Sequence, residues 1–502
     1  MLNLSDIRVT YSGLIAFVIS LISVITGLIF TIIVTRQLSI EEFGTWGVIN
    51  GILIYPVMVI PTVTYWVTRE TARNQKTAKT AIISSGILSI IGILIYIVIS
   101  LLVGNQSDAE IGVLLLASIL VPIVFLDNTL AAINTGHKPQ AVGYGTLCFE
   151  IIKIPVGLLF VYFMELGVEG AIITVFLAYI GKIIVLASFA KNQLQNKFQI
   201  EIFKKWLKLF WLPTYRNFPS LIALSDVIIF SVITGSVVGV AYYTSARTIG
   251  TFVLHVRAFS TGLYPKLLET EKHEFLQENI IKFLYFAIPL TAFSIIFAKP
   301  GLFVLNPIYI DAQPFVIFIS LRMFLITLNK VLFQALTGIE NIDKDEKSTF
   351  RDYLRSKLFW VPTVDIIRHG IFLAILAIVL IMFASQSLTD LELVNFWVMI
   401  SLAVEIPLTF YIVYLVKKSF KIKLDKKSLF KYLLSTILVF GCINLIMEEY
   451  LEYHESIFDF LPQFVIYVAI GVGGYLGFTY LIDYRTRNLC HSVIGEIRKI
   501  SF

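Results

Sequence analysis

Long apolar runs separated by short polar connections recur from one end of the chain to the other. A helix needs about 20 apolar residues to cross the hydrocarbon core of a bilayer. Runs of that length fall at roughly 11–35, 44–68, 81–103, 111–134, 141–163, 169–190, 213–235, 239–264, 281–303, 313–338, 359–384, 393–416, 430–447 and 460–483, about fourteen in all. The connections between them sort into two sets. One set, "RETARNQKTAK", "GHKPQ", "KNQLQNKFQIEIFKKWLK", "PKLLETEKHE", "DKDEKSTFRDYLRSK", "KKSFKIKLDKKSLFK" and "RTRNLCHSVIGEIRK", is basic. The other, "GNQSDAE", "MELGVEG", "GSVVG", "ASQSLTDLELVN" and "EEYLEYHESIFDF", has no Lys or Arg. Basic loops stay on the cytoplasmic side. The alternation therefore predicts that both termini are cytoplasmic, with only Arg36 and Lys299 of the 40 basic residues near the outer face. A miscounted span would scramble it.

Composition agrees with the pattern. Of 502 residues, 57% are apolar and 15% charged, against roughly 25% charged in soluble domains. The expected class is an all-α polytopic membrane protein. The net charge of +6 is gathered in the loops between spans, which marks orientation and excludes nucleic acid as a partner. Cys148, Cys442 and Cys490 are scattered and have no disulfide or metal-ligand spacing; no metal or cofactor is expected. The apolar run after "MLNLSDIRVT" is too long for a signal-peptide core, so the first helix is expected to remain as a span.

Two connections have more specific patterns. In "KFQIEIFKKWLKLFW", Ile202, Phe203, Trp206, Leu207 and Phe210 share one helical face and Lys204, Lys205 and Lys208 the other, as in a helix lying in the interface. In "RQLSIEEFGTWG", Glu41 and Glu42 invite comparison with the acidic first loop of membrane glycosyltransferases. Ser39 followed three residues later by Glu42 instead fits a capping box, and both carboxylates suit the positive end of the helix that follows. Pro56 and Pro61 are expected to bend that helix.

Ionisable residues inside spans are costly and default to function. The basic set is Lys153, Lys182, Arg216, Arg247, Arg257 and Arg322; the acidic set is Asp127, Glu150, Asp226 and Glu405. Arg216 and Arg257 lie nearer a span end, where they can snorkel. Glu150 and Lys153, three apart, either pair with each other or serve a ligand.

A faint internal repeat aligns "FGTWGVINGILIYPVMVIPTVTYWVTRE" with "VAYYTSARTIGTFVLHVRAFSTGLYPKLLE", 197 positions later, placing Trp46 on Tyr243, Asn50 on Arg247 and Arg69 on Lys266. The stretch "LSDVIIFSVITGSVVGVAYYTSARTIGTFVLHVRAFSTGLYPKLLE", with Asp226, Ala246 and Pro265, resembles the second-half opening of polysaccharide flippases of the O-antigen and teichoic-acid exporter type. These belong to the multidrug/oligosaccharidyl-lipid/polysaccharide exporter superfamily. "VTRQLSIEEFGTWGVI", "LGVEGAIITVFLAYI" and "FVLNPIYIDAQPFVIFIS" are similar to three further motifs of it, so that the likeness runs in order from about residue 10 to 416.

The resemblance implies two pseudo-symmetric six-helix bundles around a central cavity, working by alternating access, with two extra C-terminal helices. It divides the chain into a first bundle at 1–190, an interfacial linker at 191–212, a second bundle at 213–416, and the two added helices with a tail at 417–502. The long charged loop at 339–358 departs from the family pattern.

The implied substrate, a polyprenyl-linked glycan, carries phosphate or pyrophosphate, which Arg binds bidentately and Lys as a point charge. Lys153, Lys182, Arg247 and Arg322 are the expected headgroup contacts. Asp127, Glu150, Asp226 and Glu405 are the expected coupling or salt-bridge groups, with Asp226 and Arg247 as one candidate pair. Tyr242 and Tyr243 read as interfacial anchors or as sugar-stacking rings. Two other functions remain open: a cation or drug antiporter, which wants buried carboxylates and few buried cations, and an integral-membrane glycosyltransferase. The oligomeric state is not legible, and a monomer is compatible with everything above.

Overall fold

The computed structural model describes residues 22–23, 25–195, 197–260, 273–338, 350–384, 386, 388–420, 425–454, 456–488 and 491. Every regular element among them is helical. Tyr11, Pro265, Lys266, Cys490, most of the 339–358 loop and the side chains of Arg216 and Arg257 lie outside the described residues. Contacts divide the chain into two compact units, Met1–Ala241 with Leu373–Leu393, and Tyr242–Phe372 with Val394–Phe502.

The first unit begins with α1 (Ile25–Gln37), α2 (Ile40–Val57) and α3 (Pro61–Ala72). The expected capping box opens α2. The Ser39 N–H donates to Glu42 Oε2 at 2.8 Å and the Glu42 N–H donates to Ser39 Oγ at 3.2 Å. That accounts for the acidic turn without chemistry. Pro56 and Pro61 flank a 60° bend between α2 and α3, where the proline rings break the i→i−4 ladder.

Next come α4 (Ala78–Gly104), α5 (Ile111–His137), α6 (Gln140–Phe163) and α7 (Gly167–Ala190). On α4, Ile83, Ile87, Leu94, Val98 and Leu102 are exposed, whereas Ser84, Ser85, Ser89, Gly92 and Ser100 are buried. Small and hydroxyl-bearing residues line the interior and aliphatics point outward, the arrangement a bilayer solvent selects. Two of the interior polar groups find partners on neighbouring helices. Thr129 Oγ1 donates to Ser85 Oγ at 2.8 Å, and Asn134 Nδ2 to the Leu186 carbonyl at 2.9 Å.

The connection to the seventh span forms α8 (Ile200–Lys208). Phe203 and Trp206 are buried, while Lys204, Lys205 and Lys208 are exposed. The Trp206 indole donates to Glu70 Oε1 at 3.3 Å, tying α8 to α3. The expected apolar face is thus split, for Leu207 and Phe210 of the same face remain exposed. Then follow α9 (Trp211–Ala223) and α10 (Asp226–Thr234), a second bent pair at 42°. A Cβ on Gly44 of α2 would lie 2.0 Å from the Val237 carbonyl oxygen, so only glycine permits this approach.

The division between units passes through α11 (Val238–Gly250). This helix tightens to a 3-10 helix over Thr251–Ser260, where the apolar pattern predicts one α-helical span to 264. The second unit continues with α12 (His273–Ile296), α13 (Ala298–Leu305) and α14 (Gln313–Gly338). A short helix α15 (Phe350–Arg355) precedes α16 (Lys357–Phe383), α17 (Asp390–Ser419), α18 (Lys426–Tyr450) and α19 (Ile457–Ile482). Its core joins Leu276, Phe283 and Ala287 of α12 to Val331, Leu332 and Leu336 of α14 and to Ile412 and Val416 of α17. The pair α18–α19 is sealed on by aromatic rings, with Phe297 against Phe440 and Phe464, and Phe303 against Phe460.

Ten described helices are long and apolar enough to cross a membrane, or twelve when each bent pair is counted as one span. The remaining two of the expected spans, the first and the eighth, run into residues outside the described set. The chain is a multi-pass membrane protein.

Candidate functional site

The intramembrane charges fall into three groups, which differ in how they are neutralised. Two belong to the first unit. Glu150 and Lys153 lie one turn apart on α6 and form an ion pair, and Thr26 Oγ1 of α1 donates to Glu150 Oε2 at 2.6 Å. The Lys153 ammonium also sits 5.2 Å from the Phe149 ring and 5.6 Å from that of Phe30, within cation–π range. On α7, Lys182 Nζ donates to Asp127 Oδ2 of α5 at 2.9 Å and lies 5.8 Å from the Tyr179 ring. Each lysine therefore has its own carboxylate. Of the open readings for Glu150 and Lys153, the paired one is realised.

The third group belongs to the second unit and is built on α14, α16 and α17. Arg368 of α16 is its hub. It reaches back one turn to Asp365 at 2.9 Å, and across to both carboxylate oxygens of Glu405 on α17. Its Nη2 also donates to the neighbouring His369 Nε2 at 2.6 Å. Asn329 of α14 donates through Nδ2 to Glu405 Oε1 at 2.7 Å and to Thr409 Oγ1 at 2.9 Å. These donors hold the Glu405 carboxylate in a fixed orientation.

Arg322, two turns before Asn329 on α14, is different. It is 5% exposed, its guanidinium carbon stacks 4.9 Å from the Phe372 ring, and its Nε makes no hydrogen bond. Among the described residues no carboxylate lies within ion-pair reach of it. The ring supplies only the weak attraction of a π face. A desolvated guanidinium held this way retains most of its hydrogen-bonding capacity for a ligand.

Arg247 on α11 is half-buried and likewise makes no ion pair among the described residues. Asp226, the first residue of α10, is buried and accepts the Val227 N–H at 3.0 Å. Tyr243 stacks on Trp397 with centroids 3.8 Å apart and is 2% exposed, which leaves neither face of the pair's contact surface for a sugar. Tyr242 makes an edge contact with Tyr309 and stays half-buried.

Asp365, Arg368 and His369 were absent from the sequence-derived set. The signal was present in "VDIIRHG", where Asp365 and Arg368 stand one helical turn apart inside an otherwise apolar run. No group of His, Cys, Asp and Glu with the makings of a metal site occurs among the described residues.

A helical membrane protein whose interior carries ion pairs, with Arg322 and Arg247 outside them among the described residues, can be set beside known folds. No family model matches the sequence, and no curated protein does. Solved structures do match. A lipid II flippase, MurJ, in an inward closed conformation aligns with a TM-score of 0.65 at 16% identity, over 95% of this chain and 100% of the flippase. An inward-facing multidrug resistance transporter of the MATE family, MOP superfamily, aligns with a TM-score of 0.60 at 15% identity, over 81% of this chain and 98% of the transporter. A MOP superfamily transporter from Pyrococcus furiosus, described as having a reversed polarity of its binding pocket, aligns with a TM-score of 0.51 at 15% identity, over 82% and 95%. The chain has the fold these proteins share, as the resemblance of its motifs implies.

Proposed function

We propose that the protein is an alternating-access flippase that carries a polyprenyl-(pyro)phosphate-linked oligosaccharide from the cytoplasmic to the outer leaflet of the cell membrane. Both of its termini are cytoplasmic, on the side of the basic loops. The observation that carries the reading is Arg322. A buried cation with no carboxylate in reach among the described residues is unfavourable in the resting protein and is repaid by an anionic ligand. Phosphate oxygens suit its planar fork of donors.

Arg247 is the second contact in this reading. Lys153 and Lys182 join the headgroup only by leaving Glu150 and Asp127, so they act at a later stage of the cycle than Arg322. The fold shared with a lipid II flippase adds support at the level of architecture. A cation antiporter is the weaker reading, because Asp127, Glu150 and Glu405 each already hold a cation. The glycosyltransferase reading loses its main feature, since Glu42 is used as a helix cap.

The test is export of the lipid-linked glycan to the outer leaflet in cells depending on this protein. Arg322→Gln and Arg247→Gln are expected to lower export by roughly tenfold or more, the loss of a charged hydrogen bond, at unchanged protein level. Arg322→Lys should retain part of it. Export that survives removal of charge at Lys153, Lys182, Arg247 and Arg322 together refutes the assignment. Drug resistance on overexpression, with no change in glycan, supports the antiporter instead.

A further inference from the structure

A cavity of about 420 Å³ opens in the second unit among Glu278, Lys282 and Tyr285 of α12, Tyr432 of α18, and Tyr484, Arg485 and Thr486, which follow α19. It lies at the ends of these helices that adjoin the basic loops "PKLLETEKHE", "KKSFKIKLDKKSLFK" and "RTRNLCHSVIGEIRK". It is separate from the charges of α14, α16 and α17.

The floor of the cavity is chemically closed. The buried Asp483 carboxylate accepts from Ser428 Oγ at 3.2 Å, Tyr432 Oη at 3.1 Å, Lys431 Nζ at 3.5 Å and both the N–H and the hydroxyl of Thr486 at 3.1 and 3.3 Å. Tyr285 Oη shares a hydrogen bond with Thr479 Oγ1 at 3.2 Å, and Arg485 Nε is 3.3 Å from Asp425 Oδ2. The rim is open. Glu278 and Lys282 are exposed, face the cavity and form no ion pair among the described residues.

Among the described residues the cavity therefore offers a free anion and a free cation, four residues apart on one helix, where side chains start about 5–6 Å from each other. Tyrosine rings wall it, and they favour the boundary between headgroups and hydrocarbon and attract ammonium groups. Next to it, Phe430, Leu433, Leu481 and Tyr480 are exposed apolar side chains on the same helix ends. A ligand that fits all of this has a phosphate, an ammonium a few ångströms away, and an apolar tail.

We propose that this cavity is a headgroup site for an aminophospholipid of the phosphatidylethanolamine type. Lys282 takes the phosphate, with the terminal nitrogens of Arg485 beside it. Glu278 accepts from the primary ammonium. Such a lipid fastens α18–α19 to α12 and is distinct from any transported substrate.

The full-length protein in nanodiscs with equal parts phosphatidylethanolamine, phosphatidylglycerol and phosphatidylcholine, released into native mass spectrometry, reads the proposal directly. Phosphatidylethanolamine is expected to be retained over phosphatidylcholine, whose quaternary ammonium has no N–H to give Glu278. Glu278→Gln and Lys282→Gln should each cut retention roughly tenfold, as for one charge-assisted bond. The swap Glu278→Lys with Lys282→Glu should restore it, since the ligand carries both signs. Both side chains are exposed, and an unchanged gel-filtration profile checks the fold of each variant. Equal retention of the three lipids, or single variants that retain phosphatidylethanolamine as fully as the wild type, overturns the proposal. Soluble phosphoethanolamine held by the full-length protein as tightly as the lipid overturns its assignment to a lipid.

Discussion

Arg322 and Glu405 are both buried charges, yet opposite outcomes are expected when each is removed. Glu405 neutralises Arg368 and is held by Asn329, so Glu405→Gln removes the carboxylate that Arg368 grips across the helices and leaves it the ion pair with Asp365 one turn back. Breaking a buried pair from one side costs about 3–5 kcal/mol. Arg322 has no such partner among the described residues, and Phe372 packs against it. Arg322→Met removes a desolvated charge while keeping much of the side-chain volume. Thermal melting in detergent should show Glu405→Gln well below the wild type and Arg322→Met at or above it, although the latter has lost export. A fall in melting temperature for Arg322→Met as large as that for Glu405→Gln would mean that Arg322 is a structural group. Most of the charges were legible, because an ionisable residue in an apolar run is conspicuous; Asp365, Arg368 and His369 were passed over. The i, i+3 pair of Glu150 and Lys153 was legible as one alternative. The pairs Lys182–Asp127 and Arg368–Glu405 join different helices, and helix packing is not written in any local spacing.

Elements were readable where local chemistry alone decides them. Ser39 and Glu42 cap α2 as their spacing demands, and Pro56 and Pro61 bracket its bend. The helix ends at Gly250 and the 3-10 turn after it were not readable, because the apolar pattern continues unbroken into residue 264. The close approach at Gly44 was equally hidden, since a glycine in a span has many uses. There the backbone of α2 meets the Val237 carbonyl so tightly that a methyl group would sit at 2.0 Å. The obstacle is backbone, which cannot rotate aside like a side chain. Gly44→Ala must push α2 away from the turn before α11, and overpacking of this kind costs about 1–3 kcal/mol. Gly27→Ala in α1, where nothing lies within 4 Å of the added carbon, is the control. The expected result is a lower melting temperature for Gly44→Ala and an unchanged one for Gly27→Ala. Equal melting for the two would show that the contact has no energetic weight.

At the scale of the whole molecule, the resemblance of the motifs treats the last two helices as an addition to two six-helix bundles. In the second unit they are packed against its other helices. Phe297 lies against Phe440 of α18 and Phe464 of α19, and Phe303 against Phe460. Tyr475 Oη donates to the Tyr285 carbonyl at 2.8 Å, and Tyr285 is bonded in turn to Thr479. A lipid bilayer would tolerate the bared phenylalanines, because acyl chains solvate an aromatic ring as well as another ring does. It would not replace the Thr479 hydroxyl, which shares a hydrogen bond with Tyr285 Oη at 3.2 Å, because the hydrocarbon offers no hydrogen-bonding group. Termination after Ser419 is therefore expected to leave a chain that inserts, yet whose second unit is loosened around α12. Hydrogen exchange in nanodiscs reads this, with faster exchange over 276–296 than in the full-length protein. Tyr285→Phe, which removes the hydroxyl that bonded Thr479, should recover part of the protection in the truncated chain and little in the full-length one. Unaltered exchange over α12 after truncation would mean that α18–α19 are carried by the fold without supporting it.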